Sequence, residues 1–312
     1  MSDALRPTAA DNAPRAASPP VPVSVIILTF NEECNIAECI RSCDWCDDVH
    51  VVDSGSTDQT RQIAQEMGAR VWLNPFVSFG QQRNWTIDQI PTRHRWHFHL
   101  DADERITPAL VREMGHTLGP DSMRSRMAAY LVPSKMIFMG KWLRHSGGYP
   151  AYQVRLLHID RCRFVDFGHG QREVTTGQVG TLANPYIHYN FSKGLVEWFS
   201  KHNSYSDQES AEGIAVRHAR RPVLPDLRSR DPVVRRRAIK NLSFRVSGRG
   251  LWRFFDMFIR RGGWRDGTPG FHYCAMISMY EHWTDLKMRE RQSRWPEQTD
   301  RLADALGQEP AA

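Results

Sequence analysis

Between residues 22 and 118, short apolar runs alternate with helical patterns, and this alternation constrains the fold more than any other property of the chain. Val23–Thr29 (VSVIILT) is an unbroken, β-branched run, the pattern of a strand buried on both faces. A helix follows over Asn35–Ser42, with Ile36, Cys39 and Ile40 on one face. Val49–Val52 reads as a second strand ending at Asp53, and Ser56-Thr57-Asp58 offers capping chemistry for a helix running to Glu66. Gly68 stops that helix before a third strand, Arg70–Trp72. Gly80–Ile87 reads as helix, Trp96–Leu100 as a fourth strand and Pro108–Leu118 as helix. Strand and helix in this order predict an α/β fold with a doubly wound parallel sheet. Ligands of such sheets lie at the carboxyl ends of the strands. Three polar clusters, Thr29–Glu32, Asp53–Asp58 and Asp101–Glu104, each follow a strand at that edge.

Asp101-Ala102-Asp103 has the clearest chemistry. Two carboxylates one residue apart, just past a strand, suit a hard divalent ion such as Mg²⁺ or Mn²⁺ that also bridges to substrate phosphates. The bland alternative is a solvated acidic turn. In Asp53-Ser-Gly-Ser-Thr-Asp58, Asp53 lies outside the capping register and suits hydrogen bonding to a base or ribose, whereas Thr57 or Asp58 suits the cap. Thr29-Phe-Asn-Glu-Glu33 places polar side chains at the same edge, although Asn31 alone would satisfy a capping turn. Arg155 ends an apolar strand and suits either a phosphate, an acidic acceptor or a simple salt bridge.

From residue 128 the pattern changes. Ala128–Val132, Tyr152–His158 and Arg163–Val165 read as mixed-sheet strands, and Leu195–Gly213 as a helix. Residues 217–253 then hold twelve Lys and Arg against two Asp, a local charge of +10 in a chain whose total is +6, so the remainder is at −4. Phe254–Ile259 and Phe271–Met288 are aromatic-rich helical stretches. Arginines beside Leu251, Trp252, Phe254, Phe255, Met257, Phe258, Ile259 and Trp264 describe an amphipathic surface for anionic lipid over 217–264, or else an ordinary helical pair with exposed arginines. Finger, RRM, KH and helix-turn-helix patterns are absent, which argues against nucleic acid. The expected organisation is a disordered leader (1–21), a catalytic domain (22–205), a basic and aromatic helical extension (206–290) and a flexible tail (291–312).

With 41% hydrophobic and 24% charged residues, the chain is neither wholly disordered nor fibrous. It has no run approaching the ~20 apolar residues of a spanning helix, and residues 1–20 lack a signal-peptide pattern. Six cysteines without that pattern imply reduced thiols and a cytoplasmic chain. The spacing of Cys34, Cys39, Cys43 and Cys46 is not that of a zinc finger or ribbon, and helix packing explains Cys39 and Cys43.

Taken together, T-x-N-E after the first strand, D-S-G-S-T-D after the second, Gln82-Arg83-Asn84 and the D-A-D at Asp101–Asp103 strongly resemble the family-2 glycosyltransferases. Trp45 before the second strand and the H-Y-x-F of His188–Phe191 resemble the branch containing lipopolysaccharide-core β-glucosyltransferases. The resemblance covers about residues 22–205, and Arg261–Phe271 (R-x-G-x-x-D-G-x-x-G-F) resembles longer bacterial members. It implies a GT-A fold, a Rossmann-like nucleotide-binding sheet with helices on both faces, here with a C-terminal helical extension. It also implies a UDP-sugar donor, Mg²⁺ or Mn²⁺, and inversion at the anomeric carbon. Thr29, Asn31 and Glu32 would then line the nucleotide site, Asp53 would meet the uracil or ribose, and Arg83 would sit near the diphosphate. Asp101 would contact ribose or metal, Asp103 would coordinate the metal, and His188 would meet diphosphate or metal. The implied acceptor is a cell-envelope glycan or lipid-linked precursor, which would place the chain peripherally at the inner face of the cytoplasmic membrane.

Inversion in one displacement needs a base for the acceptor hydroxyl. His169-Gly-Gln-Arg-Glu173 stands where the branch carries a shorter H-E element, and Glu173 is the expected base, with His169 and Asp166 as the other candidates. Glu173 also has Arg172 or Arg155 as possible salt-bridge partners. A nucleotidyltransferase would share the nucleotide-binding sheet, but its Gly-rich basic loop is replaced here by acidic Phe30-Asn-Glu-Glu33. A non-catalytic nucleotide- or lipid-binding module is disfavoured by the intact D-A-D. An NAD oxidoreductase is disfavoured because no G-x-G-x-x-G follows the first strand.

Overall fold

The computed structural model describes residues 21–119, 126–167, 170–219, 224–229, 232–246 and 248–293. The first half runs β1 (Val23–Thr29), α1 (Ile36–Arg41), β2 (Val49–Asp53), α2 (Thr60–Glu66), β3 (Arg70–Leu73), α3 (Phe79–Gln89), β4 (Trp96–Asp101), β5 (Glu104–Arg105) and α4 (Pro108–Thr117). The second half runs β6 (Met127–Phe138), β7 (Lys141–Trp142), β8 (Ala151–His158), β9 (Cys162–Phe167), β10 (Gly170–Thr175), β11 (Gln178–Thr181) and β12 (Tyr186–His188). It closes with α5 (Gly194–His218), α6 (Leu224–Leu227), α7 (Pro232–Ser243), α8 (Arg249–Phe255), a π turn (Asp256–Arg260), a 3₁₀ turn (Gly263–Asp266) and α9 (Gly267–Ser293).

The principal sheet has the order β3-β2-β1-β4-β8-β6-β12-β5. β1 to β4 are parallel, as the strand–helix alternation predicts. The rest is mixed: β8 runs antiparallel to both β4 and β6. The reason is the connection. The chain passes from β6 to β8 without a crossover helix, and a returning strand so joined must run antiparallel. β6 is therefore aligned with β4, and its carboxyl end falls at the same edge. β9 and β10 form a separate antiparallel hairpin.

β1 shows why both faces carry helices. Val23, Val25 and Ile27 pack with Ile36 and Cys39 of α1 and Leu110 and Met114 of α4, whereas Ile26 packs with Val52 and Ile90, alongside Trp85 of α3. Side chains alternate along a strand, so an all-apolar strand needs a cover on each side. Each fully buried aliphatic side chain contributes about 1.5–3 kcal/mol. Thr107, followed by Pro108, caps α4 by accepting from the Leu110 N–H, and Ser78 caps α3 through the Gln81 N–H. At the amino ends of β1 and β2, buried Asp48 accepts from Ser24 Oγ (2.6 Å), the Arg93 N–H (2.7 Å) and Arg70 (2.8 Å), and pairs with His50.

α5 runs unbroken across residue 205, so the boundary expected there falls inside a helix. Trp198 near its start packs with Met276 of α9 and with Phe138 and Leu143 on either side of β7, which ties the C-terminal helices to the sheet. The leader up to residue 20 and the tail from residue 294 lie outside the described residues.

Candidate active site

Sheet register brings the three polar clusters to one edge. Thr29 lies opposite Asp53, and Leu28 opposite Asp101. The β1 and β2 loops are laced together. The Asn31 N–H donates to Ser56 Oγ (2.8 Å), Asn31 Oδ1 accepts from the Thr57 N–H (2.8 Å), and the Glu32 N–H donates to Thr60 Oγ1 (2.7 Å). Asn31 holds a left-handed φ of 52°, which its short polar side chain tolerates. Asp53 is buried, and its carboxylate accepts from the Gly55 and Ser56 N–H groups (3.0 and 2.8 Å) and from the Ser56 hydroxyl. It thus shapes the turn expected to receive a base or ribose. Thr29 is buried, and its hydroxyl has no hydrogen-bond partner among the described residues.

Glu32 pairs with Lys193 Nζ (2.6 Å) and accepts from Asn35 Nδ2 (2.7 Å), which also donates to Ser192 (2.7 Å). The loop after β12 is thereby fastened to the loop after β1. Enclosure raises the Glu32 pKa, and Lys193 and Asn35 oppose that rise. Nothing in the spacing of Ser192 or Lys193 signals this contact.

At the end of β4, two arginines grip Asp101. Arg83 Nη2 lies 3.2 Å from one carboxylate oxygen and Arg155 Nη2 3.0 Å from the other. Both arginines are buried. Desolvation acts to raise the Asp101 pKa, but the charges of Arg155 and Arg83 outweigh it and hold the group well below the usual carboxylate range. Arg155 also pairs with buried Glu104, whose other oxygen accepts the Asp101 N–H at 2.9 Å. Desolvation raises the Glu104 pKa despite Arg155. Glu104 belongs to the acidic cluster read from sequence, but its part in positioning Arg155 needed the fold. Arg83 Nε and Nη1 have no partner among the described residues, and its guanidinium lies over the Phe164 ring at 5.8 Å.

Asp103 Oδ2 lies 3.2 Å from His188 Nε2, and the two side chains are equally, and only partly, exposed. β12 and β5 are antiparallel neighbours, with His188 opposite Glu104, so the pairing follows from the sheet. Desolvation lowers the His188 pKa, but the hydrogen bond and charge of Asp103 outweigh it and the pKa is raised. Among the described residues no group of three His, Cys, Asp or Glu side chains is arranged to hold a metal. The donor set still fits the ion expected. Mg²⁺ and its analogues are commonly bound through one or two protein groups plus substrate phosphates, and one carboxylate with one imidazole supplies that share. Asp101, engaged by two guanidiniums, is less available than Asp103.

A cleft of about 350 Å³ adjoins this centre, lined by Tyr152, Gln153, Arg155, Phe164, Gln171 and Glu173 among others. Glu173 is exposed on β10, and none of its expected partners, Arg172 or Arg155, forms an ion pair with it among the described residues. The Asp166 carboxylate accepts from Ser78 Oγ (2.7 Å) and the Gly80 N–H (3.1 Å) at the start of α3. His169 lies outside the described residues.

Residues 24–119 match the family model described as Glycosyl transferase family 2. An uncharacterised glycosyltransferase of Rickettsia typhi is 31% identical over 281 residues, spanning 86% of this chain and 87% of that protein. The chain belongs to glycosyltransferase family 2. It is thus a glycosyltransferase, and the matched family segment contains the Thr29, Asp53 and Asp101 clusters. The lipopolysaccharide core biosynthesis glycosyltransferase LpsC of Rhizobium meliloti is 24% identical over 280 residues, 88% of this chain and 94% of that protein. Among solved structures, glucosyl-3-phosphoglycerate synthase from Mycobacterium tuberculosis, in complex with Mn²⁺ and UDP-glucose, matches at 26% identity with a TM-score of 0.31. That match covers 39% of this chain and 46% of that one. No described helix of this family-2 chain is long and apolar enough to cross a membrane.

Proposed function

We propose that the chain transfers a hexosyl group, glucose first among candidates, from a UDP-sugar to a cell-envelope glycan or lipid-linked acceptor, with inversion at the anomeric carbon. The acceptor would be of the lipopolysaccharide-core or exopolysaccharide-precursor class, and the likeness to LpsC supports that class. The observation that carries the reading is the Asp103–His188 pair beside an Asp101 gripped by two buried arginines, all at the carboxyl end of β4.

Thr29, Asn31, Glu32, Asp53, Arg83, Asp101 and Arg155 form the nucleotide-sugar site in this reading. Mg²⁺ or Mn²⁺ would be held by Asp103 and His188, with Asp101 behind them, and such an ion neutralises charge on a departing diphosphate. Arg83 and Arg155 add fixed positive charge there, and the unpartnered Arg83 N–H groups are donors a diphosphate would satisfy. Glu173 takes the proton from the acceptor hydroxyl. Its place on the cleft beside Arg155 supports this, because an inverting displacement needs its base on the side the acceptor enters. The enzyme works at the inner face of the cytoplasmic membrane, docked through residues 217–264.

A panel of nucleotide sugars with Mn²⁺ or Mg²⁺, scored by nucleotide release, tests the reading. Release of UDP from one UDP-sugar, lost on chelation, is the expected result. Pyrophosphate release instead would make the chain a nucleotidyltransferase, and silence across the panel would leave a binding module.

A further inference from the structure

Part of the basic run read from sequence as a lipid contact is held in ion pairs within the helical extension, while Arg228, Arg235 and Arg245 are exposed. Arg217 donates to the Phe244 carbonyl and pairs with Asp285, Lys240 pairs with Glu209 and Glu212, and buried Arg249 pairs with Glu281. A second surface, apolar rather than basic, also faces out. α8 lays one face on α9: a Cβ at Gly250 would stand 2.6 Å from the Ser278 carbonyl oxygen, and Ser278 Oγ donates to the Gly250 carbonyl at 2.8 Å. Packing of that face turns Leu251, Trp252, Phe255 and Ile259 outward, with exposures of 79%, 64%, 53% and 49%. Trp264, in the following 3₁₀ turn, is 55% exposed.

Five large apolar side chains on one short stretch exceed what a water-facing surface ordinarily carries. Their rim is positive. Asp256 is the carboxylate around which Arg253, Arg260 and Arg261 gather, three cations to one anion. Arg265 lies over the Trp264 ring at 5.2 Å. Indole and guanidinium beside an apolar ridge match the boundary between acyl chains and anionic headgroups.

This ridge is clasped to the catalytic edge. Asp266 directly follows Arg265, and its carboxylate accepts from the His145 N–H (3.0 Å), the Ser146 N–H (2.7 Å) and Ser146 Oγ (2.6 Å). His145 and Ser146 belong to the connection between β7 and β8, and β8 enters the sheet at the edge where β4 ends.

We propose that Leu251, Trp252, Phe255, Ile259 and Trp264 insert into an anionic lipid surface, and that the Asp266 clasp holds the catalytic edge beside that surface. The clause on the catalytic edge rests on the transferase reading above; the insertion of the ridge does not. The occupant is a bilayer because the rim is cationic. A second copy of this chain would bring the same positive rim against itself.

Co-sedimentation of the full chain with phosphatidylcholine vesicles, with and without phosphatidylglycerol, tests the proposal. The wild type partitions onto the anionic vesicles and is released by salt. Trp252→Glu with Phe255→Glu lowers that partition by roughly a hundredfold, since two inserted aromatics are replaced by charges that the headgroups repel. The same double variant retains its melting temperature and its UDP-sugar hydrolysis. Trp252→Phe, which keeps the ridge apolar, still binds but loses part of the fluorescence quenching by brominated lipid. Unchanged partition of the Glu variant, equal binding to neutral vesicles, or no wild-type binding at all would overturn the proposal. So would a dimer that the Glu variant dissolves while vesicles leave the wild type in solution. Should every sugar nucleotide prove inert while the ridge still governs vesicle binding, the transferase reading falls and the docking ridge stands.

Discussion

Asp101 and Asp103 are separated by one residue, yet they meet opposite chemistry. Asp101 faces two guanidiniums, and Asp103 faces an imidazole. In a continuous strand, positions two apart would share a face, but β4 ends at Asp101 and the chain turns at Ala102-Asp103, which sends the two side chains different ways. The D-x-D spacing therefore announces two carboxylates at one edge, but which of them is free for a metal depends on partners from α3, β8 and β12. Asp103→Ala is expected to remove metal-stimulated nucleotide release with the melting temperature nearly unchanged, because the side chain is partly exposed and its one described polar side-chain partner is His188. Near-normal turnover in that variant would move the metal elsewhere. Glu173→Gln should depress kcat by about 10²-fold or more, the usual worth of a general base, while donor affinity measured by titration stays put. A variant that instead weakens donor binding with kcat intact would reassign Glu173 to positioning. Asp166, another candidate base, is hydrogen-bonded to Ser78 and Gly80, and the sequence held no hint of this, since 86 residues separate Gly80 from Asp166.

At the level of elements, the loops after β1 and β2 behave as one unit, each supplying side chains that satisfy the other's backbone N–H groups. Capping residues were visible in both loops, and Asp58 does accept the Thr60 N–H at the end of its own loop (3.0 Å), but its bond to the Glu33 N–H and the bonds of Asn31 cross between the loops. The R-x-G-x-x-D-G-x-x-G-F segment is explained by packing. Gly262 and Gly267 hold left-handed φ values of 76° and 69°, and Asp266 is the clasp to His145 and Ser146. Gly270 is where α9 crosses the preceding turn, and a Cβ there would stand 2.4 Å from the Gly263 carbonyl oxygen and 2.6 Å from Asp266 Cβ. Neither neighbour is the far end of a flexible side chain. Gly270→Ala should therefore destabilise the protein by about 1–3 kcal/mol, the usual cost of overpacking. A thermal melt would register this as a fall of several degrees. A melt equal to wild type would show that this crossing is loose.

Over the whole molecule, buried neutral imidazoles couple stability to pH. Burial pulls the His97 pKa down to about 3, and burial likewise lowers His50 and His99. Each takes up its proton in the unfolded chain near pH 6.5 but resists it when folded, so their contribution is complete above that pH and is lost as pH falls toward the folded value. For His97 this contribution reaches at most about 1.4 kcal/mol per pH unit, well below pH 6.5. His158 and His202 are lowered in the same way, whereas His188 and Glu104, whose pKa values are raised, act in the opposite sense. Denaturant melts between pH 6.5 and 5 should show stability falling, and His97→Gln should reduce that slope by up to one proton's worth. An unaltered slope would mean that other groups carry it. What the chain determined by itself was the local alternation of apolar runs and polar strand ends, which fixes a half-parallel α/β sheet and the edge where chemistry gathers. That much follows because periodicity and capping act over a few residues. The fold decided the rest: the reversal at β8, Lys193 on Glu32, Arg155 between Asp101 and Glu104, and which side of α8 is left in water. Those contacts join residues tens to more than a hundred positions apart, and their energies exist only once the sheet brings them within a few ångströms.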